Sequence, residues 1–233
     1  MFRREHHLRI ATVLQALDGE LLQSLQCLFG GGTAIALFRG EYRESVDIDF
    51  LVSEATAYRQ LRQLLAGAHN LKPLLRSGAS VQLAREIRAD QYGIRTMLLV
   101  GGIDIKFEIV REGRVELEAP HEEERICGVP TLSLLDMATT KLLANSDRWA
   151  DNAVFSRDLI DLAMLEPSKN LLQQALEKAS GAYGESIARD LSKAVERMKQ
   201  RPGRLGECMT ALKIDAVPKA VLWSRIRRLA TGR

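Results

Sequence analysis

The sequence predicts an α/β N-terminal half followed by a helical C-terminal half. In the first half, short runs with strand-like alternation are mixed with runs of helical spacing, which is typical of an α/β fold. From Pro130 onward, apolar residues recur at helical spacing only. We therefore predict two domains, 1–129 with the α/β pattern and 130–233 with the helical pattern.

The N-terminal half has a pattern for each of its elements. In chain order they are helical spacing over His7–Leu25, a strand, glycine turn and helix over 27–38, a strand over 46–52, a helix over Ala55–Ala68, and strands over Ile94–Val100 and Ile103–Val110. Gly101-Gly102 between the last two strands is a hairpin signal.

The C-terminal half contains only helical patterns, with Pro130 and Thr131 at the start of the first helix. The predicted helices span Thr131–Asn145, Ala153–Leu165, Leu171–Ala179, Glu185–Lys199 and Val217–Leu229.

Composition excludes several classes of protein. The chain has 233 residues, of which 46% are hydrophobic and 27% charged, so a wholly disordered or collagen-like chain is excluded. No apolar stretch reaches the ~18–20 residues that span a bilayer, and no signal peptide is evident, so we predict no membrane contact and a cytoplasmic location. Three scattered cysteines and four histidines without HExxH spacing argue against a disulfide framework and a zinc site.

The net charge of +3 conceals an asymmetry. Residues 189–233 hold 12 basic and 4 acidic side chains, a net of +8, whereas residues 1–188 hold 21 basic and 26 acidic side chains, a net of −5. A basic region of this kind fits a nucleic-acid partner, although a solvated helical face gives the same composition.

Asp47-x-Asp49 places two carboxylates on one face of a predicted strand. Oxygen ligands that close together suit a hard divalent cation, which neutralises their repulsion. Paired metal ions in such sites drive phosphoryl and nucleotidyl displacement.

Gly30-Gly31-Gly32-Thr33 stands between a predicted strand and a predicted helix. Glycines let the backbone approach a phosphate, and the helix N-terminus favours the negative charge, whereas Thr33 could cap the helix or bind a phosphate oxygen. The segment lacks the lysine of a P-loop, and Ile35 stands where the third glycine of GxGxxG would be.

A further carboxylate follows on a later strand, where Asp104 and Glu108 share one face by alternation. A third carboxylate can chelate a metal further or accept a proton from an attacking hydroxyl. Either residue fits this pattern.

The combination resembles a known family. The segment FGGGTAIALFRGEYRESVDIDFLV and the strand IKFEIV are similar to AbiEii/AbiGii-type nucleotidyltransferases of bacterial toxin–antitoxin systems. The resemblance continues with Lys141 and with SRDLIDL, in which Arg157 replaces the usual lysine. It implies a polymerase-β-like nucleotidyltransferase core with a small mixed sheet, and it favours Glu108 over Asp104.

The resemblance also implies roles for individual residues. Asp47, Asp49 and Glu108 would bind Mg²⁺ or Mn²⁺, and Gly31, Gly32 and Thr33 would hold the phosphates of a nucleoside triphosphate. Lys141 would neutralise the triphosphate, and Asp158 would hold Lys141 or the nucleotide. Arg43 could also contact a phosphate, although we interpret it as a surface arginine. For Asp161, a position on the surface of the helix fits equally well.

These residues predict an enzyme that transfers a nucleoside monophosphate to an acceptor hydroxyl. The basic C-terminal region favours RNA, at the tRNA 3′ end, and the family implies a toxin with a cognate antitoxin as partner. The alternatives are a transferase that modifies a small molecule such as an aminoglycoside or a protein, and an inactive binding module with this fold.

Overall fold

The computed structural model of this protein describes residues 2–68, 70–119 and 125–230. The chain forms two compact units. The first contains Met1–Leu37 and Ser45–Ser133, and the second contains Phe38–Glu44 and Leu134–Arg233. The second unit therefore takes a short segment from within the N-terminal half.

Among the residues described in the N-terminal part of the chain, four α-helices are present: α1 Glu5–Ala16, α2 Gly19–Ser24, α3 Gly31–Phe38 and α4 Ala55–Ala68. The predicted helical stretch over His7–Leu25 divides into α1 and α2 because Asp18 starts a new helix. Its carboxylate accepts hydrogen bonds from the backbone N–H groups of Glu20 and Leu21, both at 3.1 Å. Such an N-cap satisfies donors that a helix start leaves unpaired.

The described residues of the first unit also form eight strands. They are β1 Leu28–Gly30, β2 Ile48–Val52, β3 Gln82–Leu83, β4 Arg88–Ala89, β5 Gly93–Val100, β6 Ile103–Arg111, β7 Arg125–Ile126 and β8 Val129–Pro130. The main sheet has the order β1-β2-β6-β5-β3, and β4 also pairs with β5. β2 and β6 are parallel, and the other pairs are antiparallel, so the sheet is mixed.

Alternation along the strands separates a packed face from a polar one. Phe29, Phe50 and Phe107, one from each of β1, β2 and β6, are buried and stack with ring centroids 5.5 and 5.7 Å apart. Tilted aromatic pairs at this distance add to the stabilisation from burial. Since neighbouring residues on a strand face opposite sides, Asp49 and Glu108 point away from these rings.

In the second unit, the residues that the structure describes form six α-helices: α5 Leu134–Arg148, α6 Arg157–Leu165, α7 Lys169–Tyr183, α8 Ser186–Gln200, α9 Arg204–Ala211 and α10 Lys219–Ala230. Helix α5 packs against α6, α7 and α8, and α10 packs against α6, α8 and α9. The segment Phe38–Glu44 is anchored here, since Arg39 donates to the carbonyl of Leu165 and the Glu44 N–H donates to the carbonyl of Leu212 at 3.3 Å.

The predicted fold class is confirmed, and most predicted elements are present with shifted ends. The predicted helix over Ala153–Leu165 is wrong in its first turn. Phe155 and Ser156 adopt left-handed backbone angles, so a short 3₁₀ turn at Asn152–Val154 is separated from α6. The sequence patterns also missed α9 and the four two-residue strands. No helix within the described residues is long and apolar enough to cross a membrane.

Candidate functional site

The glycine turn is positioned against the first carboxylate pair. β1 ends at Gly30 and α3 begins at Gly31, whose φ of +67° belongs to the left-handed region. A Cβ atom on Gly31 would lie 2.5 Å from Oδ2 of Asp49. Gly31 is therefore required both by its backbone angle and by the close approach of the Asp49 carboxylate to the start of α3.

The sheet register aligns four residues in one row. Gly30 on β1 is opposite Asp49 on β2, Asp49 is opposite Glu108 on β6, and Glu108 is opposite Arg95 on β5. Residues opposite each other in a sheet project from the same face. The structure thus brings the Asp49 and Glu108 carboxylates together beside the glycine turn.

Asp104, the alternative third carboxylate, lies elsewhere on β6. It is exposed and is opposite Leu99 of β5, beyond the part of β6 that pairs with β2. The register therefore favours Glu108 as the neighbour of Asp49.

Asp47 precedes β2 and is held by the residues of the glycine turn. The Thr33 hydroxyl donates to the Asp47 carbonyl at 2.5 Å and also hydrogen-bonds with the Ser45 hydroxyl at 2.8 Å. The Ser45 N–H donates to Nε2 of the buried His7 at 3.1 Å. Thr33 is only 1% exposed, so its side chain fixes the loop before β2, and a phosphate would meet its backbone rather than its hydroxyl.

Two cations hold the Glu108 carboxylate. Oε1 accepts from Nε of Arg95 and Oε2 accepts from Nζ of Lys106, both at 2.5 Å. Burial raises the pKa of Glu108, but hydrogen bonds from Lys106 and Arg95 outweigh it and hold the pKa below that of an ordinary glutamate. Glu108 is therefore ionised at neutral pH, as a metal ligand must be.

The charges of Asp49 and Asp47 also affect the pKa of Lys106. Burial lowers its pKa, but the hydrogen bond and charge of Glu108, followed by the charges of Asp49 and Asp47, raise it above the usual value. The ammonium of Lys106 thus supplies positive charge that offsets the negative charges of Glu108, Asp49 and Asp47.

The carboxylate oxygens of Asp47, Asp49 and Glu108 are the donors that a hard divalent cation prefers. Among residues 2–68, 70–119 and 125–230, no three histidine, cysteine, aspartate or glutamate side chains are gathered as a ready-made metal site. The residue types and the register fit a divalent metal ion, provided that Glu108 exchanges one of its cationic partners for it.

The second unit contains its own buried ionic cluster. Nζ of Lys141 on α5 lies 2.7 Å from Oδ2 of Asp161 and 3.1 Å from Oδ1 of Asp158, both on α6. Nε of Arg148, also on α5, lies 2.6 Å from Oδ2 of Asp158. Burial raises the pKa of Asp158, but the charge of Lys141 and the bonds from Arg148 lower it well below the usual range.

Two interpretations from the sequence are wrong here. Arg43 is buried rather than on the surface, and Asp161 is fully buried rather than on an exposed helix face. Arg43 makes a two-pronged contact with Asp161, Nε to Oδ1 at 2.7 Å and Nη2 to Oδ2 at 2.9 Å, and the Tyr42 hydroxyl donates to Oδ1 at 2.5 Å. A paired geometry of this kind is the strong form of an arginine–carboxylate contact.

Each unit thus assembles part of the predicted residue set. The first brings together Gly31, Asp49 and Glu108, with Asp47 beside Thr33. The second brings together Lys141 and Asp158. The sequence patterns missed Arg95 and Arg148, which hold Glu108 and Asp158, and both could have been found: Arg95 from the hairpin register, and Arg148 from its place two helical turns after Lys141.

Comparisons with known proteins identify the family of this chain. A family model described as nucleotidyl transferase AbiEii toxin of a type IV toxin–antitoxin system matches residues 13–227. No curated protein matches the chain.

Two solved structures from Helicobacter pylori are similar in fold. The chain resembles a protein provisionally assigned as a nucleotidyltransferase, with 18% identity, a TM-score of 0.53, and coverage of 97% of this chain and 93% of the other. JHP933 is similar at 16% identity and a TM-score of 0.53, with coverage of 99% and 94%.

Proposed function

Because this chain belongs to the AbiEii nucleotidyltransferase toxin family of type IV toxin–antitoxin systems, we propose that it transfers a nucleoside monophosphate from a nucleoside triphosphate to a hydroxyl at the 3′ end of tRNA, with a divalent metal ion. One observation carries this proposal. Asp49 on β2 lies opposite Glu108 on β6, and its carboxylate lies close to Gly31 at the start of α3.

Asp47, Asp49 and Glu108 would hold Mg²⁺ or Mn²⁺. A bound divalent ion would neutralise negative charge on the triphosphate and on the reacting oxygens. The backbone N–H groups at the start of α3, from Gly31, Gly32 and Thr33, would receive the phosphates, because a helix N-terminus attracts anions. The close approach of Asp49 to Gly31 supports a shared location for phosphates and carboxylates.

The reaction forms one bond and breaks one. The acceptor hydroxyl releases its proton to water and its oxygen bonds to the α-phosphorus, while the bond from that phosphorus to the oxygen bridging to the β-phosphorus breaks and pyrophosphate leaves with that oxygen. In-line displacement of this type depends mainly on positioning and charge stabilisation. The protein side chains therefore act chiefly by holding the reactants.

Glu108 is better suited to orient the acceptor than to take its proton. The pKa of Glu108 is lowered by Lys106 and Arg95, which makes this carboxylate a weak base. An open groove of about 580 Å³ is lined by Tyr92, Arg95, Arg111 and Arg114, and by Glu112, which pairs with Arg114, among others. A groove with basic and aromatic walls beside Glu108 suits the approach of a nucleotide acceptor.

Lys141 and Asp158 remain proposed nucleotide-binding and catalytic residues on the strength of the family resemblance. The ammonium of Lys141 has three N–H donors, and the carboxylates of Asp158 and Asp161 account for two. A triphosphate oxygen would be the third acceptor. Asp158 would hold Lys141 in place.

RNA is the proposed acceptor because positive charge is concentrated in residues 189–233. As a member of a toxin–antitoxin family, the protein would arrest growth by modifying tRNA, and a cognate antitoxin would relieve the arrest. The N-terminal α/β part would be the nucleotidyltransferase core, with the proposed domain boundary near residue 129.

The experiment is incubation of the full chain with magnesium, total tRNA and each radiolabelled nucleoside triphosphate in turn. We expect label in the tRNA with the wild-type chain and none with Asp49→Ala. Label that survives in Asp49→Ala would overturn the site assignment. Unlabelled tRNA with labelled aminoglycoside or protein would favour the alternative acceptors, and no label in any acceptor would favour an inactive binding module.

A further inference from the structure

The loop between α5 and α6 is surrounded by arginine side chains that follow it in the sequence. Nη1 of Arg197 donates to the carbonyl of Ala150 at 2.8 Å, and its Nη2 donates to Oδ1 of Asn152 at 2.9 Å. Nη1 of Arg201 donates to the same Oδ1 at 3.1 Å, and Nη2 of Arg204 donates to the Asn152 carbonyl at 2.8 Å. We name Arg197, Arg201 and Arg204 the arginine surface.

The oxygens that hold Arg197 and Arg201 of the arginine surface in place are neutral. Because Arg197 and Arg201 share one oxygen, at 2.9 and 3.1 Å, their donor nitrogens lie within about 6.0 Å of each other. Within the described part of the chain, no carboxylate oxygen comes within 4.0 Å of either guanidinium, and Arg204 pairs with Glu207 at 3.2 Å. Like charges held this close repel, so the arrangement favours a bound anion.

Aromatic rings are interleaved with these cations. Nζ of Lys193 and Cζ of Arg197 lie 5.4 and 5.8 Å from the ring centre of Trp149, and Cζ of Arg204 lies 5.5 Å from that of Phe155. Phe155 is 36% exposed, so part of its ring is accessible to a ligand. Lys193 has Asp190 at 3.6 Å, so its charge is partly balanced.

We propose that the arginine surface, together with Trp149 and Phe155, binds a single-stranded segment of the acceptor RNA. Guanidiniums bind backbone phosphates, and aromatic rings and guanidinium planes stack on unpaired bases. A duplex hides its base faces, so an exposed ring beside arginines suits a single strand better. This inference rests on the proposed function, because it identifies a contact surface for the acceptor.

The arginine surface is continuous with the ionic cluster of the same unit. Trp149 lines a small cavity together with Asn145, Arg148 and Asp158. In this cavity Nδ2 of the buried Asn145 has no hydrogen-bond partner among the described residues. A strand bound across Trp149 would therefore come close to Asp158, for which a catalytic role is proposed.

The test compares two double variants of the full chain. Arg197→Gln with Arg201→Gln removes two charges from the arginine surface, whereas Arg227→Gln with Arg228→Gln removes two from α10 in the same basic region. Fluorescence anisotropy measures affinity for a short fluorescein-labelled single-stranded RNA over a range of salt concentrations. We expect the first variant to weaken binding about tenfold or more and to reduce the salt slope by about 1 to 2.

The control variant, Arg227→Gln with Arg228→Gln, should keep wild-type affinity within about threefold. Charges outside the proposed RNA contact surface contribute only long-range attraction, which salt screens. A third variant, Arg197→Lys with Arg201→Lys, keeps the charge and should recover most of the binding, which separates loss of charge from loss of folding. Equal loss in the first two variants, or no RNA binding by the wild type, would overturn the proposal. Polyglutamate binding as tight as RNA binding would overturn it in favour of an acidic protein partner.

The fluorescence of Trp149 reports directly on stacking of RNA bases against its ring. The chain has two tryptophans, so Trp223→Phe leaves Trp149 as its tryptophan fluorophore. We expect RNA to quench this fluorescence through stacking, and unchanged emission at saturating RNA would contradict stacking. Neither assay depends on turnover, so the two proposals can fail separately. RNA binding as predicted, but without nucleotide transfer to RNA, would contradict the proposed function alone. Nucleotide transfer to RNA, with RNA affinity unchanged in both glutamine double variants, would contradict this inference alone.

Discussion

Asp49 and Glu108 lie directly opposite each other on the parallel strands β2 and β6. They are 59 positions apart in the sequence, and the pairing of these two strands makes them neighbours. Gly31 at the start of α3 lies close to the Asp49 carboxylate, and Arg95 and Lys106 donate hydrogen bonds to the Glu108 carboxylate. This arrangement leads to the first prediction.

Glu108→Gln should reduce nucleotide transfer by more than about 100-fold. Loss of a residue that only hydrogen-bonds to a metal ligand costs about 10- to 100-fold, and Glu108 is proposed to bind the metal ion directly. Asp104→Asn is the matched control, since Asp104 lies on the same strand but away from β2. It should stay within about threefold of wild type. Steady-state incorporation assays measure both, and equal losses would contradict the assignment of the third carboxylate.

Gly31→Ala should separate activity from stability. The φ angles of Gly31 and Gly40 are +67° and +70°, so alanine at either position costs about 1–2 kcal/mol of backbone strain. A Cβ at Gly31 would meet Asp49, whereas a Cβ at Gly40 has nothing within 4 Å. Urea unfolding should show similar destabilisation from the backbone, and transfer activity should be lost in Gly31→Ala only. Activity that is retained in Gly31→Ala would contradict the close role of Asp49.

Asp161→Ala should destabilise the protein by about 3–5 kcal/mol, because it leaves the buried guanidinium of Arg43 without its partner. The control is Glu185→Gln, an exposed residue without a side-chain cap hydrogen bond, which should change stability by less than about 0.5 kcal/mol. Chemical denaturation measures both free energies of unfolding. A small effect from Asp161→Ala would show that the cluster does not hold this unit together.

The ionic cluster also predicts a dependence of stability on pH. The pKa values of Asp158 and Asp161 are lower in the folded than in the unfolded chain, where an aspartate titrates near ~3.9. Their stabilisation is complete above the unfolded value and is lost as the pH falls toward the folded value. Each carboxylate contributes a slope of up to about 1.4 kcal/mol per pH unit in this window.

Asp158→Asn should therefore unfold with a shallower pH dependence below about pH 4 than the wild type. Free energies of unfolding at closely spaced pH values provide the measurement. Identical slopes for the two proteins would mean that Asp158 is not held as an ion by Lys141 and Arg148.

Local patterns in the sequence determine much of the fold that was predicted. The helix α4 begins and ends where its apolar spacing does, and the hairpin turn at Gly101-Gly102 sets the register of β5 and β6. That turn already implies that Arg95 is opposite Glu108, because the two residues are equally far from it. The cationic partner of Glu108 was therefore available from the sequence.

Contacts between residues far apart in the sequence could not be predicted from local patterns. Arg43 and Asp161 are 118 positions apart, and no local pattern distinguishes a buried arginine–aspartate pair from two exposed charges. Likewise, the parallel pairing of β2 with β6 depends on a crossover through the intervening chain. The resemblance to a family supplied the choice of Glu108, whereas alternation alone allowed Asp104 equally.

The central claim is tested most directly by mass spectrometry of tRNA after incubation with the wild-type chain, magnesium and each of the four nucleoside triphosphates separately. The account predicts that at least one triphosphate increases the tRNA mass by whole nucleoside monophosphates, and that Asp49→Ala gives no increase. An unchanged tRNA mass with all four triphosphates, or the same increase with Asp49→Ala, would contradict it.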